Sequence, residues 1–105
     1  MSDNQPLSHQ LYQTGLAYAD ALAAAQMYEE GKSAFVAQRI SQQGDMAHNA
    51  AEKIVKASEE YSQYIKKMVR ARQNANRIKA KLEYIRAQLT EWQSEQANER
   101  LVAKL

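Results

Sequence analysis

Fourteen successive seam positions of one heptad repeat, from Ala47 to Trp92, are apolar or aromatic, and few folds can accept such a chain. With Ala47 at position a, the a residues are Ala47, Ile54, Tyr61, Met68, Ala75, Leu82 and Leu89, and the d residues are Ala50, Ala57, Tyr64, Ala71, Ile78, Ile85 and Trp92. A repeat of 3.5 residues gathers these side chains on one stripe of a helix, and that stripe must pack against another helix. Gln96 and Glu99 end the pattern. Before Val69 the stripe is widened by Ala51, Val55, Ile65 and Val69, as in a helix covered by more than one neighbour. After Val69 it narrows to a and d alone, which suits a two-stranded seam.

Helix breakers are scarce: three Gly and one Pro in 105 residues. A chain of this length predicts one domain, all-α, running 1–105. Residues 1–7 read as a disordered tail ending at Pro6, with Ser8 as the N-cap of a first helix over 8–43. Gly31, in "YEEGKSAF", is a place for a kink. Gly44 can supply the left-handed residue that closes the first helix, and Asp45 can cap the second. No Gly or Pro lies beyond Gly44, so the pattern predicts one continuous helix over 45–100. The product is a long helical hairpin with an extended coiled-coil second helix. In a tight hairpin turning at Gly44 and Asp45, Glu29 and Glu30 face the neighbourhood of Tyr61, and Asp20 faces that of Val69. The second helix then overhangs the first and leaves Leu82, Ile85, Leu89 and Trp92 to be covered by another chain. Leaving four large apolar groups in water costs about 1.5–3 kcal/mol each. These four are the expected oligomer interface, with a homodimer as the simplest case.

Charge is distributed unevenly. The formal net charge is +2, yet residues 1–31 sum to −4, residues 32–61 to zero, residues 62–88 to +7 and residues 89–105 to −1. In the basic segment, Lys66, Lys67, Arg70, Arg77 and Lys81 wrap around the back of the helix, and Arg72, Lys79 and Arg86 flank the seam. Glu83 is the lone acid among them. A parallel, in-register homodimer would place these like charges side by side, so an antiparallel partner carrying acids is favoured. Tyr84 falls at position c, on the outside, between Lys81 and Arg86, where it can stack on a base or grip a partner protein. Lys66, Lys67, Arg70, Arg77, Lys81 and Tyr84 are therefore the candidate contacts to a nucleic acid or a partner protein. Phosphate neutralisation by such a strip is salt-sensitive and independent of sequence.

Other chemistry finds little support. Glu52 lies four residues after His48, the spacing of two ligands on one helix face, but no second such pair exists. Neighbouring Glu29–Glu30 and Glu59–Glu60 diverge around their helix and do not converge on a substrate. No nucleophile motif or Gly-rich phosphate loop is present, so the expectation is a non-enzymatic chain with no cofactor, no metal and no small-molecule substrate. There is no Cys, no apolar run near the ~20 residues a membrane span needs, and no export signal in "MSDNQPLSHQ". A cytoplasmic protein that does not enter membranes is expected.

The run "RIKAKLEYIRAQLTEWQSEQANER", Arg77 to Arg100, resembles the ends of short all-helical proteins encoded in phage and prophage genomes, often near recombination genes. The likeness lies in "LEYIR", the following Trp-Gln and an Ala-rich polar end, and spans about a quarter of the chain. It implies an accessory or host-directed binding role and singles out Trp92. The functional expectation is an oligomeric helical hairpin that presents residues 66–86 to a partner protein or nucleic acid. The alternative is a structural hairpin subunit of a larger or secreted assembly. The Ala-rich "ALAAAQ" favours it, and the lack of a Trp-x-Gly turn at Gly44 speaks against it.

Overall fold

The computed structural model describes residues 6–105, and these form three α-helices: α1 (Leu7–Ser41), α2 (His48–Lys56) and α3 (Glu59–Ala103). No strand occurs among the described residues. The tail expected over 1–7 lies, for residues 1–5, outside the described residues; Leu7 is already helical. Pro6, not Ser8, marks the start of α1, its carbonyl accepting hydrogen bonds from the amides of His9 and Gln10 at 3.0 Å each. α1 then runs through Gly31 without a break. One glycine costs a helix only about 1 kcal/mol, and the good helix formers around it absorb that.

Gly44 closes the helix as expected, with φ at +76°, where a side chain would be strained. Asp45 does not cap the second helix. α2 starts three residues later behind Ala47, which makes no side-chain capping bond.

The continuous helix expected over 45–100 is two helices, divided at Ala57 and Ser58. The physical cause is a complete helix end followed by a complete helix start. Lys53 and Lys56 lie in the last turn of α2, where cations favour the exposed carbonyls. The Ser58 hydroxyl donates to the Val55 carbonyl at 2.6 Å and accepts from the Tyr61 amide at 3.2 Å, which is N-cap geometry. Glu59 and Glu60 occupy the first turn of α3, where anions are favoured. The break resets the phase of the seam. Ala51 and Val55 are the buried face of α2, at 1% and 2% exposure, while the seam residue Ile54 is 46% exposed.

The chain forms two compact units. The unit of residues 21–75 contains the turn. Its α1 segment is covered at Ala21, Ala25, Tyr28, Lys32, Phe35 and Arg39, spaced alternately by four and three residues. This is a second heptad stripe. It meets the a and d residues Tyr61, Tyr64, Met68, Ala71 and Ala75 of α3, all at least partly buried. Ala25 and Ala75 are fully buried, and such small side chains let helices approach closely. Glu29, expected beside Tyr61, instead pairs with Arg72, because the turn, α2 and the break remove a stretch of chain from the hairpin register.

The other unit pairs the described residues of α1 up to Asp20 with α3 from Asn76 onward. Leu7, Leu11, Thr14 and Tyr18 continue the four–three spacing and are covered, as are Ile78, Leu82, Ile85 and Leu89. Leu82 and Ile85 are only 6% and 3% exposed. The predicted overhang is thus largely filled by the chain's own N-terminal helix. Thr14 is the buried polar residue of this seam, and no buried side-chain nitrogen or oxygen among the described residues lacks a partner. No described helix is long and apolar enough to cross a membrane.

Because Ala75 is fully buried, Ala75→Leu overfills the seam and should destabilise the protein by about 1–3 kcal/mol, read as a lower urea midpoint. An unchanged midpoint would show that the seam is loose there.

Candidate interaction surface

The six candidate contacts to a nucleic acid or partner protein all stand on α3, and the structure leaves each of them exposed. In the turn-containing unit these are Lys66, Lys67 and Arg70; in the other they are Arg77, Lys81 and Tyr84, the last 64% exposed. Lys79 and Arg86 are exposed as well. The reason is local. An a/d seam turned toward α1 leaves b, c, e, f and g positions at the sides and back of the helix, where long cationic side chains remain hydrated. Among the described residues the ion pairs are His48–Glu52, Lys56–Glu52 and Arg72–Glu29, so no described acid neutralises any of the candidate cations.

Arg72 behaves differently from its neighbours. Its Nε donates to Glu29 Oε2 at 2.8 Å and its terminal NH2 to Oε1 at 2.6 Å, a two-pronged fork between α1 and α3. That hydrogen bonding, reinforced by the guanidinium charge and opposed by partial desolvation, holds the Glu29 carboxyl below its ordinary value of 4.5. The acidic half of α1 therefore takes one cation and orients the hairpin with it.

An aromatic cluster sits in the same unit. The Tyr64 ring stacks on Phe35 at 4.5 Å and meets Tyr28 edge-on at 5.7 Å. The Arg39 guanidinium lies 5.2 Å from the Phe35 ring centre. The Tyr64 hydroxyl donates to the Tyr28 backbone carbonyl at 2.6 Å. Gly31 leaves room for that approach: a Cβ there would lie 3.1 Å from the hydroxyl, close enough to push it by a few tenths of an ångström. The glycine is thus a notch in α1 rather than a hinge. Sequence reasoning missed this function, although Gly31 three residues after Tyr28 on a helix facing Tyr64 carried the signal.

Of the four residues expected to need another chain, Leu82 and Ile85 are buried in their own unit, which corrects that expectation for them. Leu89 is half-buried and Trp92 is 51% exposed. Leu89 and Trp92 line a shallow groove with Pro6, Leu7, Ser8 and Gln93; the first helix begins at this level, so cover for Trp92 runs out here.

His48 lies 3.6 Å from Glu52, but Glu52 is also taken by the Lys56 ammonium at 2.7 Å. The Lys56 hydrogen bond and charge lower the Glu52 pKa, and the same carboxylate raises that of Lys56. This is an i,i+4 brace on α2. No group of three possible metal ligands occurs among the described residues. No family model, no curated protein and no solved structure matches the chain.

Two outcomes are expected from the turn-containing unit. In a Tyr64→Phe background, Gly31→Ala should stabilise the protein by about 0.8–1 kcal/mol through helix propensity. With Tyr64 intact the gain should shrink by about 0.5 kcal/mol or more, because the new methyl displaces the hydroxyl; a strictly additive cycle in urea denaturation would count against the notch. The second outcome stems from the Glu29 carboxyl being held below 4.5 in the folded state. Its contribution to stability is present above the unfolded-state value and is lost as pH falls through the lower folded value. The stability difference between wild type and Glu29→Gln should therefore be present at neutral pH and vanish in acid. A difference that is constant with pH would remove the fork from the account.

Proposed function

We propose that this protein is a non-enzymatic interaction protein, a helical hairpin that grips an anionic macromolecule, foremost a nucleic-acid backbone, with the exposed cations of α3. The carrying observation is that Lys66, Lys67, Arg70, Arg77 and Lys81 are exposed and enter no ion pair among the described residues. Exposed cations that no described acid neutralises, in either unit, are ready to replace the counterions of a polyphosphate, and the release of those counterions drives association. Tyr84, exposed beside Lys81, adds a flat surface on which an unpaired base can stack. Nothing in the arrangement reads base edges, so binding is governed by charge rather than by sequence. The resemblance of the C-terminal run to phage-encoded accessory proteins agrees with this role, and a cytoplasmic setting follows if the ligand is nucleic acid.

Binding of a fluorescent DNA duplex and of a single strand, followed by anisotropy across a salt series, tests this reading. Log affinity should fall linearly with log salt. Lys66→Gln with Arg70→Gln should make the duplex slope shallower by about two, roughly 0.9 for each lost phosphate contact. No binding at low salt, or a slope unchanged by the two substitutions, would overturn it and leave an acidic protein as the partner to seek.

A further inference from the structure

The unit that contains the chain's C-terminal half of α3 carries a pattern that the polyanion reading does not use. Arg77, Lys81, Tyr84, Gln88, Glu91 and Glu95 are spaced alternately by four and three residues. They occupy the c and g positions and form one stripe beside the buried seam of Leu82, Ile85 and Leu89. All are exposed except Gln88, which is half-covered. None of the four charged members enters an ion pair among the described residues. The stripe is also symmetric in position and antisymmetric in charge about Arg86. Arg77 and Glu95 stand nine residues either side of it, Lys81 and Glu91 five, and Tyr84 and Gln88 two.

We propose that a second copy of this chain docks antiparallel on this stripe, with a two-fold axis at the level of Arg86. Rotation about that axis brings Arg77 of each copy to Glu95 of the other, Lys81 to Glu91, and Tyr84 to Gln88. A two-fold interface uses the same patch on both copies, so each contact occurs twice. Four ion pairs then surround a centre of two tyrosines and two glutamines. The centre is already ordered in a single copy, where Gln88 Nε2 donates to Tyr84 Oη at 3.3 Å. A parallel arrangement stacks Arg77 on Arg77 and Glu95 on Glu95, and is repulsive throughout. The opposite flank, with Lys79 and Arg86 against the single acid Glu83, has no such symmetry. Trp92, 51% exposed, lies four residues after Gln88 and three before Glu95. It borders the stripe and supplies apolar area at each end of the docked pair.

The proposal goes beyond the polyanion reading and shares Arg77 and Lys81 with it. A docked copy places Glu91 and Glu95 where phosphates would otherwise sit, so the second copy and a nucleic acid exclude each other on this part of α3. Exposed ion pairs are individually weak and screened by salt. The dimer is therefore a low-affinity one that salt dissolves.

Sedimentation equilibrium without nucleic acid, from low micromolar to low millimolar protein at low salt, tests the proposal independently of the polyanion reading. Wild type should self-associate as a dimer and dissociate as salt is raised. Arg77→Glu with Lys81→Glu makes the stripe wholly acidic, and Glu91→Lys with Glu95→Lys makes it wholly basic. Each of these two variants should remain monomeric alone, and an equimolar mixture should form a heterodimer. The four substitutions together restore the antisymmetry and should restore the homodimer, with a dissociation constant within about tenfold of wild type. Circular dichroism of each variant confirms that the exposed substitutions leave the helices formed. A wild type that stays monomeric at low salt, a single-sign variant that dimerises as well as wild type, or a mixture that gives no heterodimer would each overturn the proposal.

Discussion

The shared constraint on this chain is a seam built largely from small side chains. Ala21, Ala25, Ala51, Val55 and Ala75 are the buried residues of the turn-containing unit. Such residues draw helices together but contribute little apolar area each, and one alanine step resembles the next. A heptad seam of this kind can slip by a whole repeat at small cost. The features that forbid slippage are therefore polar and aromatic. Tyr64 reaches the Tyr28 carbonyl through the notch at Gly31 and stacks on Phe35, and Arg72 forks onto Glu29. These contacts join α1 to α3 at defined positions, and the alanines fill in around them.

The same contacts determine which charges remain outside. Had the hairpin turned tightly at Gly44, Glu29 and Glu30 would have met the region of Tyr61. The interposed α2 carries Glu29 to Arg72 instead. Arg72 is thereby committed to the fold, whereas Lys66, Lys67, Arg70, Arg77 and Lys81 are left in water. Farther along α3 the acids Glu91 and Glu95 are equally exposed, and their placement relative to Arg77 and Lys81 makes that stretch complementary to itself. On the two readings proposed above, α3 carries a cationic stretch for phosphates and a self-complementary charge pattern for another copy.

Much of this was legible in the residues. Scarcity of Gly and Pro, together with the a/d repeat, established an all-helical chain, the turn at Gly44, the seam from Tyr61 to Leu89 and the outward position of Arg70, Arg77 and Tyr84. The division at Ser58 was also written there, as lysines, a serine cap and two glutamates in order. An apolar repeat that continued through Ala57 concealed it: Ala47, Ala50, Ile54 and Ala57 keep the a/d spacing in sequence, yet the break turns them to solvent and Ala51 and Val55 inward. The heptad on α1 was hidden for a different reason: Thr14, Lys32 and Arg39 occupy covered positions without being apolar.

What the sequence alone determined is periodic and local: helix type, the left-handed closure at Gly44, the face of α3 that seeks cover and the sign of charge along the chain. These arise from spacings of three and four residues and need no knowledge of a partner element. Only the tertiary structure decided the register of α1 against α3. Register depends on how many residues the connection consumes and on single contacts such as Tyr64 with Tyr28, neither of which has a period. From register came the fates that sequence could not assign: Leu82 and Ile85 buried by their own chain, Trp92 left half in water where α1 begins, and Arg72 taken by Glu29 while its cationic neighbours stayed exposed.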